Sequence, residues 1–215
     1  ISIGLVGSEM CIRDSFHEQA QGLKEGGADL LWLETISAPE EFKAAAEAFS
    51  QIELPWVGTM SFDTAGRTMM GTSPAAMVEL ISSIPNKPVA FGANCGTGAP
   101  DLLRTIQDFA ISAPESILIA KGNAGIPKYI DGNIFYDGTP ELMAKYAVMA
   151  RNSGAKIIGG CCGTKSKHLL SMRAALESEV LGPVPSLQQV ELEIGPFSGQ
   201  IRKEITKRTS KRRRR

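Results

Sequence analysis

From Phe16 onward, short unbroken apolar runs alternate with longer segments whose apolar residues recur every three or four positions. The runs cover residues 29–34, 56–62, 88–94, 117–120 and 156–160. Runs of four to seven residues, bounded by Gly and Pro, predict strands buried on both faces. The intervening segments predict helices. One covers 16–26 and ends at Gly26-Gly27, and a second covers 39–51, with Pro39 near its start and Glu40 and Glu41 in its first turn. A third opens at Thr72-Ser73-Pro74 and carries Met77, Leu80, Ile81 and Ile84 on one stripe. A fourth, 99–112, carries Leu102, Leu103, Ile106 and Phe109, and two more open at Thr139-Pro140-Glu141 and near Ser166. Pro in the first turn, capping hydroxyls and early acids all suit helix N-termini. Residues 121–138 read as a long loop.

Five strand–helix units in alternation imply a parallel sheet covered by helices. An open doubly wound sheet and a closed barrel both satisfy that pattern. No G-x-G-x-x-G follows a strand, which argues against a dinucleotide site. Polar residues gather where strands end: Glu34 and Thr35, Ser61 and Asp63, Asn94 and Cys95, Asn123, and Cys161 and Cys162. In a (β/α)8 barrel the reactive groups sit at those C-terminal strand ends, and the fold takes about 250 residues. The expected architecture is therefore a (β/α)8 TIM barrel truncated at its N-terminus, with only its last five units present.

Composition changes this picture little. The 215 residues are 43% apolar and 21% charged, ordinary for a globular chain. No run approaches the roughly 20 apolar residues of a membrane span, and no secretory signal is legible, so a cytoplasmic address is expected. Charge is more informative. Of 23 Lys or Arg and 23 Asp or Glu, nine and one respectively fall in residues 201–215, which leaves 14 and 22, a net of −8, in residues 1–200. Residues 183–215 read as a basic, disordered tail. No aromatic residues are interleaved with the basic run, so base stacking and a nucleic-acid partner are not expected. Residues 5–14 resemble the translated end of a transposon adapter. Residues 1–15 are accordingly set aside as non-native, leaving 16–182 as a partial barrel domain.

The candidate chemistry is carried by thiols. Gly159-Gly160-Cys161-Cys162-Gly163 follows one strand and Gly92-Ala93-Asn94-Cys95 ends another. Three soft ligands from two strand ends suit one zinc ion with its fourth position open, the pattern of a catalytic site. A substrate thiol filling that position would be held as a nucleophilic thiolate at neutral pH. Each piece also has a plainer reading. Free Cys packs as a small hydrophobe, Glu34 can serve a salt bridge, and Asn94 can serve a turn. His168 reads as a helix cap or surface residue, and 122–125 as a turn without the Lys-Ser/Thr of a phosphate loop.

These motifs, with Gly27-Ala28-Asp29 through Leu33-Glu34-Thr35, Asp63-Thr64-Ala65-Gly66-Arg67-Thr68 and Asn123-Ala124-Gly125-Ile126-Pro127, resemble the homocysteine S-methyltransferase family over about residues 16–178. The resemblance implies a (β/α)8 barrel holding zinc through Cys95, Cys161 and Cys162. It also implies that Glu34 contacts the homocysteine amino group and that Asn94 shapes the site. The implied reaction moves a methyl group to the homocysteine thiol to give methionine, within methionine biosynthesis. The donor would be methyltetrahydrofolate with a corrinoid, betaine or S-methylmethionine. Betaine-using members place an aromatic residue directly after the glutamate, where Thr35 stands here, which tilts the donor away from betaine. The acidic residue the family takes from its first barrel strand has no counterpart in this sequence, so the chain alone is expected to be inactive. The alternative is a non-catalytic, zinc-stabilised binding domain whose basic tail contacts nucleic acid.

Overall fold

A computed structural model describes residues 3–198 apart from Thr64 and Ile126. The elements in chain order are α1 (Ile3–Glu25), β1 (Leu31–Ile36), α2 (Pro39–Phe49), β2 (Trp56–Met60), α3 (Pro74–Ser83), β3 (Ala90–Cys95) and α4 (Ala99–Ser112). They continue with β4 (Leu118–Gly122), β5 (Pro127–Ile130), β6 (Asn133–Tyr136), α5 (Pro140–Asn152), β7 (Ala155–Gly160), α6 (Ser166–Ser178) and α7 (Leu187–Ile194). Five strands form one wholly parallel sheet in the order β1-β2-β3-β4-β7. That order never reverses. A doubly wound sheet needs a reversal to create its binding crevice, so the winding among the described residues is the continuous kind that builds barrels.

Strand alternation sorts the core. Leu31, Leu33, Met60, Phe91, Ala93, Leu118, Ala120 and Ala155 belong to the main core under the helices, with Trp56 packed between Phe42 and Phe49 and Phe109 between Phe62 and Phe91. Val57, Ala90 and Ile119, with Ile157 against them, form a second, smaller cluster. Each is one position out of step with its main-core neighbour, so these side chains lie on the opposite face of the sheet. Caps work as the sequence implies. Ser73 Oγ accepts from Ala76 N–H, and Thr139 Oγ1 from Leu142 N–H, both at 3.2 Å. Buried His168 accepts the Lys165 backbone N–H on Nδ1 at 2.8 Å, which makes it a cap of α6.

Three segments differ from the expectations. The first helix spans Ile3–Glu25, running through the residues set aside above. The expected loop 121–138 contains the antiparallel hairpin β5–β6, turned by Asp131 (φ 48°) and Gly132 (φ 81°). Two successive residues at positive φ suit a tight hairpin turn, and Asp-Gly is a strong short-range signal for one. Part of the expected tail is ordered. Val190 and Ile194 of α7, and Phe197 beyond it, are buried in the core. Buried Asp101 of α4 accepts the Ser198 N–H at 2.9 Å. The basic residues 201–215 lie outside the described residues.

Candidate metal centre

β3 ends on Cys95 in the left-handed region (φ 60°), followed by Gly96 (φ 71°). This turns the chain at once toward α4 and leaves the thiol at the strand end. β7 runs into Cys161-Cys162, and that loop is stitched to the end of β4. Cys161 N–H donates to Gly122 O at 2.8 Å, and Ala124 N–H to Cys162 O at 2.9 Å. A side chain at Gly163 (φ 76°) would overlap the Tyr136 ring, so glycine there lets β6 close over the thiol loop.

The sulfur atoms of Cys95, Cys161 and Cys162 all lie within 4.8 Å of one another, and Cys95 Sγ stands 3.8 Å from Cys162 Sγ. Sulfurs bonded at about 2.3 Å to a tetrahedral zinc stand about 3.8 Å apart. The donor set therefore fits a soft divalent ion, and three protein ligands leave a fourth position for a substrate.

Electrostatics inside the cluster agree. The Cys161 thiol is lowered to about 5, chiefly by the hydrogen bond from Cys95, with help from the Asn94 amide and against its own burial. The Cys95 thiol is pushed up, first by that same bond to Cys161 and then by burial. One thiolate thus forms easily and makes the next one costly, a repulsion that a dication would offset. Tyr136 is pushed up to about 12 by burial and by its hydrogen bond with the Cys162 thiol.

Two buried asparagines brace the cluster. Asn94 Oδ1 accepts the Thr35 N–H at 3.0 Å, and its Nδ2 donates to Thr35 Oγ1 at 2.7 Å and faces Cys161 Sγ at 3.7 Å. Asn123 Oδ1 accepts the Cys162 N–H, and its Nδ2 donates to Gly96 O, both at 3.0 Å. Glu34 is on β1, on the opposite face from Leu33, and forms an ion pair with Lys121 of β4. Its charge reaches Cys161 only through space.

The structure thus brings Cys95, Cys161, Cys162 and Asn94 together and sets Glu34 at the flank. Ser61 lies buried just past the end of β2, where its backbone N–H donates to Ile36 O at 2.9 Å. Sequence reasoning passed over three residues. Asn123 was visible at a strand end but read as a turn. Lys121 was visible as a lone charge closing the apolar run 118–120. Tyr136 could have been found only through the Asp131-Gly132 hairpin signal.

The fold resembles the crystal structure of the homocysteine methyltransferase MmuM from Escherichia coli in its apo form (TM-score 0.65, 22% identity), over 78% of this chain and 57% of that one. The metallated form of the same enzyme matches with TM-score 0.61 and 23% identity, over 75% and 51%. The chain therefore spans little more than half the length of these structures. Among the described residues no helix is long and apolar enough to cross a membrane. The sequence model for homocysteine S-methyltransferase matches residues 7–176, most of the chain, and the chain belongs to that family.

Proposed function

We propose that this chain carries the metal- and thiol-binding half of a zinc-dependent enzyme that methylates homocysteine to methionine. Its five strands correspond to the last five of a (β/α)8 barrel. The observation that carries the reading is the convergence of Cys95, Cys161 and Cys162 within 4.8 Å. Family membership and the unreversed strand order support it. These three cysteines would hold the zinc. Bound there, the ion supplies Lewis acidity that keeps a thiol deprotonated at neutral pH.

The chain's own residues do the rest. Asn123 joins the two thiol loops, so the ligands are set before anything binds. Asn94 fixes Thr35 and, through it, the backbone that carries Glu34. Glu34 offers a carboxylate to the α-ammonium of homocysteine, orienting its sulfur toward the cysteines. In the reaction the homocysteine sulfur forms a bond to the methyl carbon while the donor's bond to that carbon breaks.

The test is zinc X-ray absorption on the purified, zinc-loaded chain. Three sulfur neighbours should become four on adding homocysteine, and serine at any one of the three cysteines should lower metal retention. Four protein ligands and no response to homocysteine would overturn the reading in favour of a structural site.

A further inference from the structure

Away from the thiols, one pair of opposite charges stands out on the same face of the sheet. Lys121 of β4 reaches Glu34 of β1 although β2 and β3 lie between their strands. On the other side of β4, the strand neighbour Gly159 of β7 has no side chain, and a Cβ there would stand 3.4 Å from Lys121 Cγ, so the root of the lysine stem is left uncrowded. At the far end the ammonium lies 4.8 Å from the centre of the Trp32 ring, a cation–π contact. The pair is partly withdrawn from water, with side-chain exposures of 21% for Lys121 and 36% for Glu34. It is also close to the metal centre. Lys121 pairs in register with Asn94, and the next pair along is Gly122 with Cys95.

An ion pair this accessible contributes little to stability. It does match one kind of ligand well. An α-amino acid carries its ammonium and carboxylate on a single carbon, so its receptor needs two opposite charges side by side. We propose that Lys121 and Glu34 form a zwitterion clamp, in which Lys121 receives the α-carboxylate of the amino-acid thiol while Glu34 takes its α-ammonium. The inference rests on the role given to Glu34 above. On binding, the Lys121–Glu34 pair opens and two new pairs replace it, with no charge left unpaired. The compact ammonium on its flexible stem suits this exchange better than a rigid guanidinium fork. The substrate class follows: α-amino acids with a free carboxylate and a thiol on a two-carbon arm, in preference to the corresponding amine.

The experiment compares homocysteine with 3-mercaptopropylamine, which has the same thiol, arm and amine but no carboxylate, by calorimetric titration into the zinc-loaded chain. A charge-assisted contact predicts that the native protein binds homocysteine at least about tenfold more tightly. Lys121→Met should reduce that preference to about twofold or less, with zinc content and far-UV circular dichroism unchanged, and Lys121→Arg should retain most of it. Lys121→Gln serves if the Met variant fails to fold. Equal affinity of the native protein for both thiols, or an undiminished preference in Lys121→Met, overturns the clamp and leaves the metal-site reading standing. Binding of neither thiol overturns that reading, and the clamp with it.

Discussion

The Asn94 amide grips Thr35 twice, accepting its N–H at 3.0 Å and donating to its hydroxyl at 2.7 Å. Thr35 needs that hold. It is a β-branched residue at φ 65°, a conformation such side chains rarely adopt. One buried side chain thus sustains an unfavourable backbone beside Glu34 and also faces Cys161 at 3.7 Å. We predict that Asn94→Ala lowers unfolding free energy by about 1–3 kcal/mol, as expected for lost partners in a buried site. Thr35→Gly in that background should recover part of the loss by relieving the backbone. Urea unfolding of the two single variants and the double variant checks this. Strict additivity would show that the two residues do not cooperate.

Cys161 should be the first thiol to react in metal-free protein. With its value lowered to about 5, it is a thiolate at pH 6–7, where an unperturbed thiol is protonated. Its alkylation by iodoacetamide should therefore persist at pH 6 and fall away only as the pH drops through about 5. Cys95, pushed the other way, should resist alkylation throughout that range. Tandem mass spectrometry of the modified peptides distinguishes the sites. Preferential labelling of Cys95 would contradict the hydrogen-bond order described here.

Asn123 joins the two thiol loops by side-chain hydrogen bonds alone. Asn123→Ala should leave the fold in place and weaken zinc binding by about 10- to 100-fold, the usual effect of removing an outer-shell partner. Asn123→Asp keeps the acceptor for Cys162 N–H but loses the donor to Gly96 O, and it adds negative charge beside the thiols. Its metal affinity should fall between those of the native protein and the Ala variant. Competition with a chromophoric chelator measures all three, and an Ala variant within twofold of native would refute the bracing role.

Gly163→Ala meets two obstacles at once, a positive φ and the Tyr136 ring. It should destabilise the chain by more than about 1 kcal/mol, the scale of Ala placed where φ is positive. Tyr136→Ala should remove the steric part of that penalty but not the backbone part. Thermal unfolding of the double variant separates the two contributions.

The parts of the molecule governed by local patterning were legible in the chain. Pro39, Pro74 and Pro140 open α2, α3 and α5 where the helix signals stand, and the five apolar runs became the five parallel strands in sequence order. The thiol cluster was legible because metal-type ligands at strand ends of a parallel sheet converge. What escaped depends on contacts distant in sequence. Lys121 reaches Glu34 across 87 residues, a pairing no periodicity reveals. α7 has a local start signal, Ser186 accepting the Gln189 N–H at 3.1 Å, but its place on the core comes from burying Val190 and Ile194 against segments distant in sequence. The hairpin and this cap were the avoidable omissions, since Asp131-Gly132 and Ser186 stood in plain view.

The three cysteines also tie chemistry to architecture. Cys95 closes β3, Cys161 and Cys162 follow β7, and among the described residues β4 is the one strand between them. An ion seated there would act as a rivet through three adjacent strands, joining segments 66 residues apart in sequence. Chelation should then loosen the sheet itself as well as silence the site, and any slippage of β4 against its neighbours should release the ion.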